Sequence, residues 1–202
     1  MRGLETLTWR CHLMAVDSPA ETMFQRFVLL DCSVLLNILA TGRADEVLRT
    51  FHAGVGLCAA VAAETLFLRG ENPSDAPESI SLDPLIGAGL LQRHDLESDD
   101  EKAMYVQLAA DLDDGEAMTL AIAHRRGLSA ATDDRKARRI ARERFGDKLP
   151  LLRTTDIVHA WLETAQIDEA SAGKLLKRIE SIAHYKPAND DPLREWWMAS
   201  AS

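Results

Sequence analysis

The chain has only three cysteines in 202 residues, Cys11, Cys32 and Cys58. They are odd in number, show no CxxC spacing and lie in apolar surroundings. A disulfide framework is therefore excluded, and buried thiols in a reducing cytoplasm are expected. Cationic excess is missing too: 23 Lys and Arg stand against 32 Asp and Glu, a formal charge of -9. Wrapping nucleic acid by bulk electrostatics is excluded, although local basic patches are not. Glu5 and Arg10 interrupt the first apolar stretch, "MRGLETLTWRCHLMAV", and no uncharged run elsewhere reaches membrane-spanning length. A soluble, cytoplasmic protein without a membrane partner is the expectation. His12, His52, His94, His124, His159 and His184 are scattered, so zinc-type His/Cys spacing is absent as well. There is no internal repeat.

What is present is an alternation of apolar runs and amphipathic stretches. The length suits one well-buried core. Residues 1–26 read as an N-terminal extension, either genuine or produced by a start site upstream of Met14 or Met23. "RFVLLD" reads as a buried strand, followed by a short helix over 33–39 closed by Gly42. "VGLCA" (55–59) predicts a second strand running into a helix over 60–68. "RGENPSDAPESISLDP" predicts a loop, either a flap over a substrate or ordinary surface chain. "AGLLQRHDL" (88–96) predicts a third strand, followed by a helix over 99–112. "GEAMTLAIAHRRG" is apolar almost all round and predicts a buried helix. "LSAAT" is a fourth strand leading into a basic helix over 134–145, and "LPLLRT" a fifth. The remainder reads as helical. Alternating strands and helices imply parallel pairing and an α/β fold: a three-layer α/β/α sandwich around a sheet of four to five strands, with a C-terminal helical tail over 151–202 packed on the same domain.

Ligands of such sheets bind beyond the carboxyl ends of the strands. Asp31 ends the first strand, and Asp133 and Asp134 end the fourth. Each also precedes a helix, where an N-capping carboxylate is worth about 1 kcal/mol and needs no function. Glu64 is the one charge in "AAVAAETLFL", and a carboxylate buried there requires a partner. Glu116 opens the apolar helix after Asp113, Asp114 and Gly115, where an acid favours the helix dipole. Convergence of four carboxylates would raise at least one pKa unless a cation intervened. Oxygen-only ligands favour Mg or Mn.

Taken in order, "LLDCSVLLN", Glu64 in "AAE", "DDGEAMTLAIA" and "TDDRKAR" resemble the PIN-domain superfamily of metal-dependent nucleases. The likeness is greatest to a bacterial and archaeal group with "GE" before the buried helix and "DDR.AR" after the fourth strand. It covers about residues 27–150. The resemblance implies that Asp31, Glu64, Glu116 and Asp134 are the catalytic, metal-ligating acids, with Asp133 able to exchange with Asp134 and Asp114 able to substitute for Glu116. Ser33 matches the small hydroxyl residue near the first acid. Asn37 stands where many members carry another acid, and both are expected on the substrate side. The activity implied is Mg- or Mn-dependent hydrolysis of RNA phosphodiesters, as the toxin of a toxin-antitoxin pair. An antitoxin protein and a homodimer are the partners implied. Two alternatives are a non-catalytic PIN-fold module that binds nucleic acid or a partner, and an aspartate-based phosphatase. The second draws on "DCSV", but Ser33 stands where its general acid would be.

An acidic pocket must still attract a polyanion. Arg135, Arg138, Arg139 and Arg142 follow i, i+3, i+4, i+7 spacing and form one stripe. The stripe is either a phosphate-binding face beside the metal or a solvated helix face with Glu143 four residues after Arg139. Trp196 and Trp197 either stack on bases or dock the C-terminal tail.

Overall fold

The computed structural model describes residues 25–64, 66–68 and 78–202. The expected extension, apart from its last two residues, and most of the Pro-rich loop lie outside the described residues. Five strands form one parallel sheet: β1 (Val28–Leu30), β2 (Val55–Cys58), β5 (Gln92–His94), β6 (Ser129–Ala131) and β7 (Leu151–Leu152), in the order β5-β2-β1-β6-β7. The central strand is wholly apolar and fully buried, as a strand covered by helices on both faces must be. Helices flank the sheet to give the three-layer sandwich.

The helices in chain order are α1 (Cys32–Ala40), α2 (Ala44–Arg49), α3 (Ala59–Ala63), α4 (Asp83–Gly87), α5 (Asp99–Ala109), α6 (Asp114–Arg126), α7 (Arg135–Phe145), α8 (Thr154–Thr164), α9 (Glu169–Ile182) and α10 (Arg194–Ser200). None of the described helices is long and apolar enough to cross a membrane. Helix α6 buries Ala117, Thr119, Leu120, Ala121, Ile122 and Ala123, which explains its nearly unbroken apolar sequence. Helices α8 and α9 pack on α1, and α10 on α9. Trp197 is fully buried, and its indole N–H donates to Glu180 Oε1 at 3.0 Å. The tryptophan pair therefore docks the tail instead of offering a stacking platform.

Two expectations need correction. The helix predicted over 60–68 stops at Ala63, and Leu66–Leu68 instead form β3, paired antiparallel with β4 (Glu78–Ile80). A short apolar run such as "TLFL" has no periodicity that separates helix from strand. The segment read as a loop thus contains half of a hairpin. The third strand is also shorter than predicted, because α4 and a turn take up the residues before Gln92.

From β1 the sheet grows one way through β2 and β5, and the other way through β6 and β7. The strand order therefore reverses between β1 and β6, and the crevice at their carboxyl ends is where a ligand site is expected. Leu30 pairs with Ala131, and Asp31 N–H donates to Ala131 O at 2.9 Å. This register sets Asp31 beside Thr132 at the mouth of that crevice.

Candidate active site

Asp31 occupies the N-cap position of α1, yet its carboxylate makes no capping bond to the helix. Its Oδ2 instead accepts from Ser33 Oγ at 2.9 Å and Thr132 Oγ1 at 3.2 Å. The side chain is only 6% exposed, and burial pushes its pKa up, with the two hydroxyls pulling the other way. A capping role does not explain this aspartate, and it carries a desolvation cost without a cationic partner.

Glu116 lies in the first turn of α6, held there by its own N–H donating to Asp113 Oδ1 at 2.8 Å. Its carboxyl is pushed up to about 7, first by burial and then by Asp113, Asp134 and Asp31 in turn. Every charge that raises it is another carboxylate. Asp134 caps α7, its Oδ1 accepting from Ala137 N–H at 2.7 Å. Asp113 and Asp134 each engage one oxygen with a helix N-terminus and keep a second one.

Glu64 does not sit buried within a helix, as the sequence suggested. It is the exposed C-cap of α3, in extended conformation, because the helix ends one residue earlier. The chain turns there and sends the carboxylate toward α6, with Oε1 3.0 Å from where a Gly115 β-carbon would stand. The Cys32 thiol, next to Asp31, is hydrogen-bonded to Glu64, and burial and that carboxylate push it up to about 12. Asp31, Glu116 and Asp134 thus lie within electrostatic reach of one another, and Glu64 approaches Gly115 and Cys32, the neighbours in sequence of Glu116 and Asp31. Among the described residues, however, no three His, Cys, Asp or Glu side chains are already gathered in the manner of ligands around one ion. The acids share a neighbourhood rather than a closed coordination sphere.

Asp113 is a member of this neighbourhood that sequence reasoning passed over in favour of Asp114. Its signal was the "D-x-x-E" spacing, an N-cap three residues before a first-turn glutamate. Asp114 faces away and accepts from Tyr105 Oη at 2.7 Å on α5. Asp133 also turns aside. It accepts from Thr154 N–H at 3.0 Å, Thr154 Oγ1 at 2.6 Å, Asn37 Nδ2 at 3.2 Å and Tyr185 Oη at 3.4 Å. Asn37 is buried, and its amide also donates to Thr154 Oγ1 at 2.9 Å. Asn37 and Asp133 brace the turn after β6 from behind, which separates Asp133 from its neighbour Asp134. Ser33 remains exposed and bonded to Asp31.

The arginine stripe divides. Arg138 is buried, and its Nη1 donates to Thr132 O at 2.9 Å and Leu152 O at 2.7 Å, tying the ends of β6 and β7. It is a structural group, not the free phosphate ligand that its spacing suggested. Arg139 pairs with Glu143 on the exposed face. Arg135 and Arg142 are exposed beside a cleft.

The family model DUF3368, described as a PIN domain, matches residues 27–185. The chain belongs to this PIN-domain family. Comparison with curated proteins and with solved structures finds no match. PIN domains are generally nucleases and typically use divalent metal ions. The residues here fit such an ion: a buried, uncapped Asp31 and a Glu116 surrounded by acids are the charge pattern that a hard dication would relieve.

Proposed function

We propose that this PIN domain is a Mg- or Mn-dependent nuclease that hydrolyses RNA phosphodiester bonds. The observation that carries the reading is Glu116, whose carboxyl is driven up to about 7 by burial and by three neighbouring aspartates at a ligand-binding crevice. Asp31, Glu64, Glu116 and Asp134 are the residues that would hold the ion, with Asp113 as a further oxygen donor. When bound, a divalent ion supplies a lowered pKa for water and neutralises charge on the leaving oxygen.

The chain's own residues do the rest. Thr132 and Ser33 orient the Asp31 carboxylate through Oδ2. Helix α6, fixed by the Asp113 cap, brings Glu116 within electrostatic reach of it. Asn37 and Asp133 hold the turn from which Asp134 projects. Deployment as the toxin of a toxin-antitoxin pair, as a homodimer met by an antitoxin protein, belongs to the same proposal and rests on the resemblance of its motifs alone.

The test combines thermal melting with cleavage of labelled RNA. Millimolar Mg or Mn is expected to raise Tm at neutral pH, since binding to the folded state adds stability by mass action. Asp31→Asn and Glu64→Gln are each expected to abolish cleavage, and Asp31→Asn to remove most of the Tm shift. A wild-type protein indifferent to both ions, or an Asp31→Asn enzyme that still cleaves, would refute the reading.

A further inference from the structure

A second feature lies on the other side of the β6 end from the acids. A cleft of about 720 Å³ opens between α7 and the segment that crosses from Tyr185 to Asp191. It falls within the size range of small-ligand sites, roughly 300–1,000 Å³. Its wall carries Arg135, Arg142 and Lys186, all exposed, and none of the three side chains makes a hydrogen bond or ion pair to the described residues, although Arg135 lies near enough to Asp190 to help hold its carboxyl down. Beneath them lies the buried Arg138, whose two bonds go to backbone carbonyls and whose Nε has no partner.

Four carboxylates also line the cleft, but each is already engaged. Glu143 pairs with Arg139. Asp190 and Asp191 hold Arg153, at 2.9 and 3.5 Å. Asp133 accepts from Thr154 and Asn37. The charge left over in the cleft is therefore positive, within a chain whose formal charge is -9. Such a local reversal concentrates an anion where the rest of the surface repels it. Apart from Tyr185, Pro187 and Ala188, every side chain that lines the cleft is charged or carries an amide.

The position of the cleft identifies the anion. Asp134 looks toward the acids, Asp133 lines the cleft, and Arg135 follows directly in the chain. A strand that placed one phosphate at Asp31 and Glu116 would run its next phosphates past Arg135 into the cleft. The crossing segment cannot easily swing away: Arg153 holds Asp190, Thr155 Oγ1 donates to Asp191 at 2.8 Å, and Arg194 donates to Pro187 O.

We propose that the cleft between α7 and residues 185–191 seats the RNA strand next to the scissile phosphate, with Arg135, Arg142 and Lys186 as its phosphate ligands. The inference rests on the nuclease reading and adds to it a polarity: the substrate leaves the acids toward β7, not toward β2. Contacts of this kind set position without reading sequence.

The test is binding of a fluorescein-labelled 12-nucleotide oligouridylate, followed by anisotropy in EDTA so that no turnover occurs, with Mg-dependent cleavage measured in parallel. The Arg142→Glu/Lys186→Glu variant is expected to bind at least about tenfold more weakly. Its slope of log affinity against log salt should be shallower by about 1.4, two phosphates at about 0.7 each for a single strand. Its KM should rise in the same proportion, with kcat changed much less. The exposed positions make misfolding an unneeded explanation, and an unchanged Tm will check that. A variant with wild-type affinity and wild-type KM overturns the cleft assignment while leaving the nuclease intact. Loss of Mg-dependent cleavage in the wild type removes the nuclease reading, and the cleft assignment with it.

Discussion

Glu64 and Gly115 are neighbours in space because neither leaves room for more: the carboxylate oxygen stands 3.0 Å from the position of the absent β-carbon, and Val61 Cγ2 stands at 3.2 Å. Contacts this tight mean that alanine at position 115 would displace the Glu64 carboxylate by some tenths of an ångström. Gly115 lies inside α6, where alanine is the better helix former by about 1 kcal/mol. The two effects act on different readouts. Gly115→Ala is expected to leave Tm within a few degrees of wild type while lowering the cleavage rate by about tenfold or more, because small misplacements of a reacting group are costly. Single-turnover cleavage and a thermal melt on one preparation check both.

The raised carboxyl of Glu116 predicts an unusual pH profile for the metal-free protein. Folded Glu116 keeps its proton up to about pH 7, whereas the unfolded chain releases it near its ordinary value of 4.5. Between those values the folded state binds more protons, so stability falls as pH rises. Asp31 is shifted in the same direction and adds to the slope. Urea melts in EDTA are expected to show a loss on the order of 2 kcal/mol between pH 5 and pH 8. Glu116→Gln should flatten much of it, and saturating Mg should do likewise by favouring the ionised form. A metal-free profile that rises over this window would mean that the acids do not act on one another.

The parts of the site legible in sequence were those in which one residue carries a local signature. "VLLD" announces a buried strand ending in a carboxylate, and "DDGEAM" announces a capped helix with an acid in its first turn. What stayed hidden depends on partners distant in the chain. Asp133 and Asp134 are adjacent and chemically identical, and only Thr154, Asn37 and Tyr185, brought in from three other elements, decide which one turns inward. Arg138 keeps perfect helical spacing with Arg135 and Arg142, but the carbonyl ends of β6 and β7 lie beneath that one position. Glu64 was read into a longer helix because "TLFL" suits helix and strand alike, and only pairing with β4 resolves it.

Two neighbouring arginines should therefore differ sharply in what their loss costs. Arg138→Ala removes a buried guanidinium that satisfies two backbone carbonyls, and is expected to cost about 2–4 kcal/mol. Arg139→Ala breaks an exposed pair with Glu143, and should stay within about 0.5 kcal/mol of wild type. Chemical denaturation of the two variants separates them. Equal effects would contradict the burial of Arg138.

Away from the acids, the join between α5 and α6 holds a carboxylate whose contribution to stability is lost in acid. Glu101 is buried and grips Arg126 through both oxygens, at 2.7 and 3.0 Å, while Oε2 also accepts from Glu97 N–H at 2.7 Å. Arg126 holds its carboxyl down at about 2 against an ordinary 4.5, so its contribution is complete above pH 4.5 and is lost as pH falls through about 2. Glu101→Gln removes the charge that Arg126 faces in a partly buried position, although Glu97 and Asp95 O still hold the guanidinium. The substitution is expected to cost on the order of 2–3 kcal/mol at pH 7 and much less near pH 2, where the wild-type carboxyl is itself becoming neutral. Urea melts of both proteins at the two pH values measure the difference. Its sign is opposite to that of the Glu116→Gln difference, because one carboxylate is held by a cation and the other is crowded by its own kind. Two stability curves crossing in opposite directions would separate the structural acid of this fold from the acid available for metal.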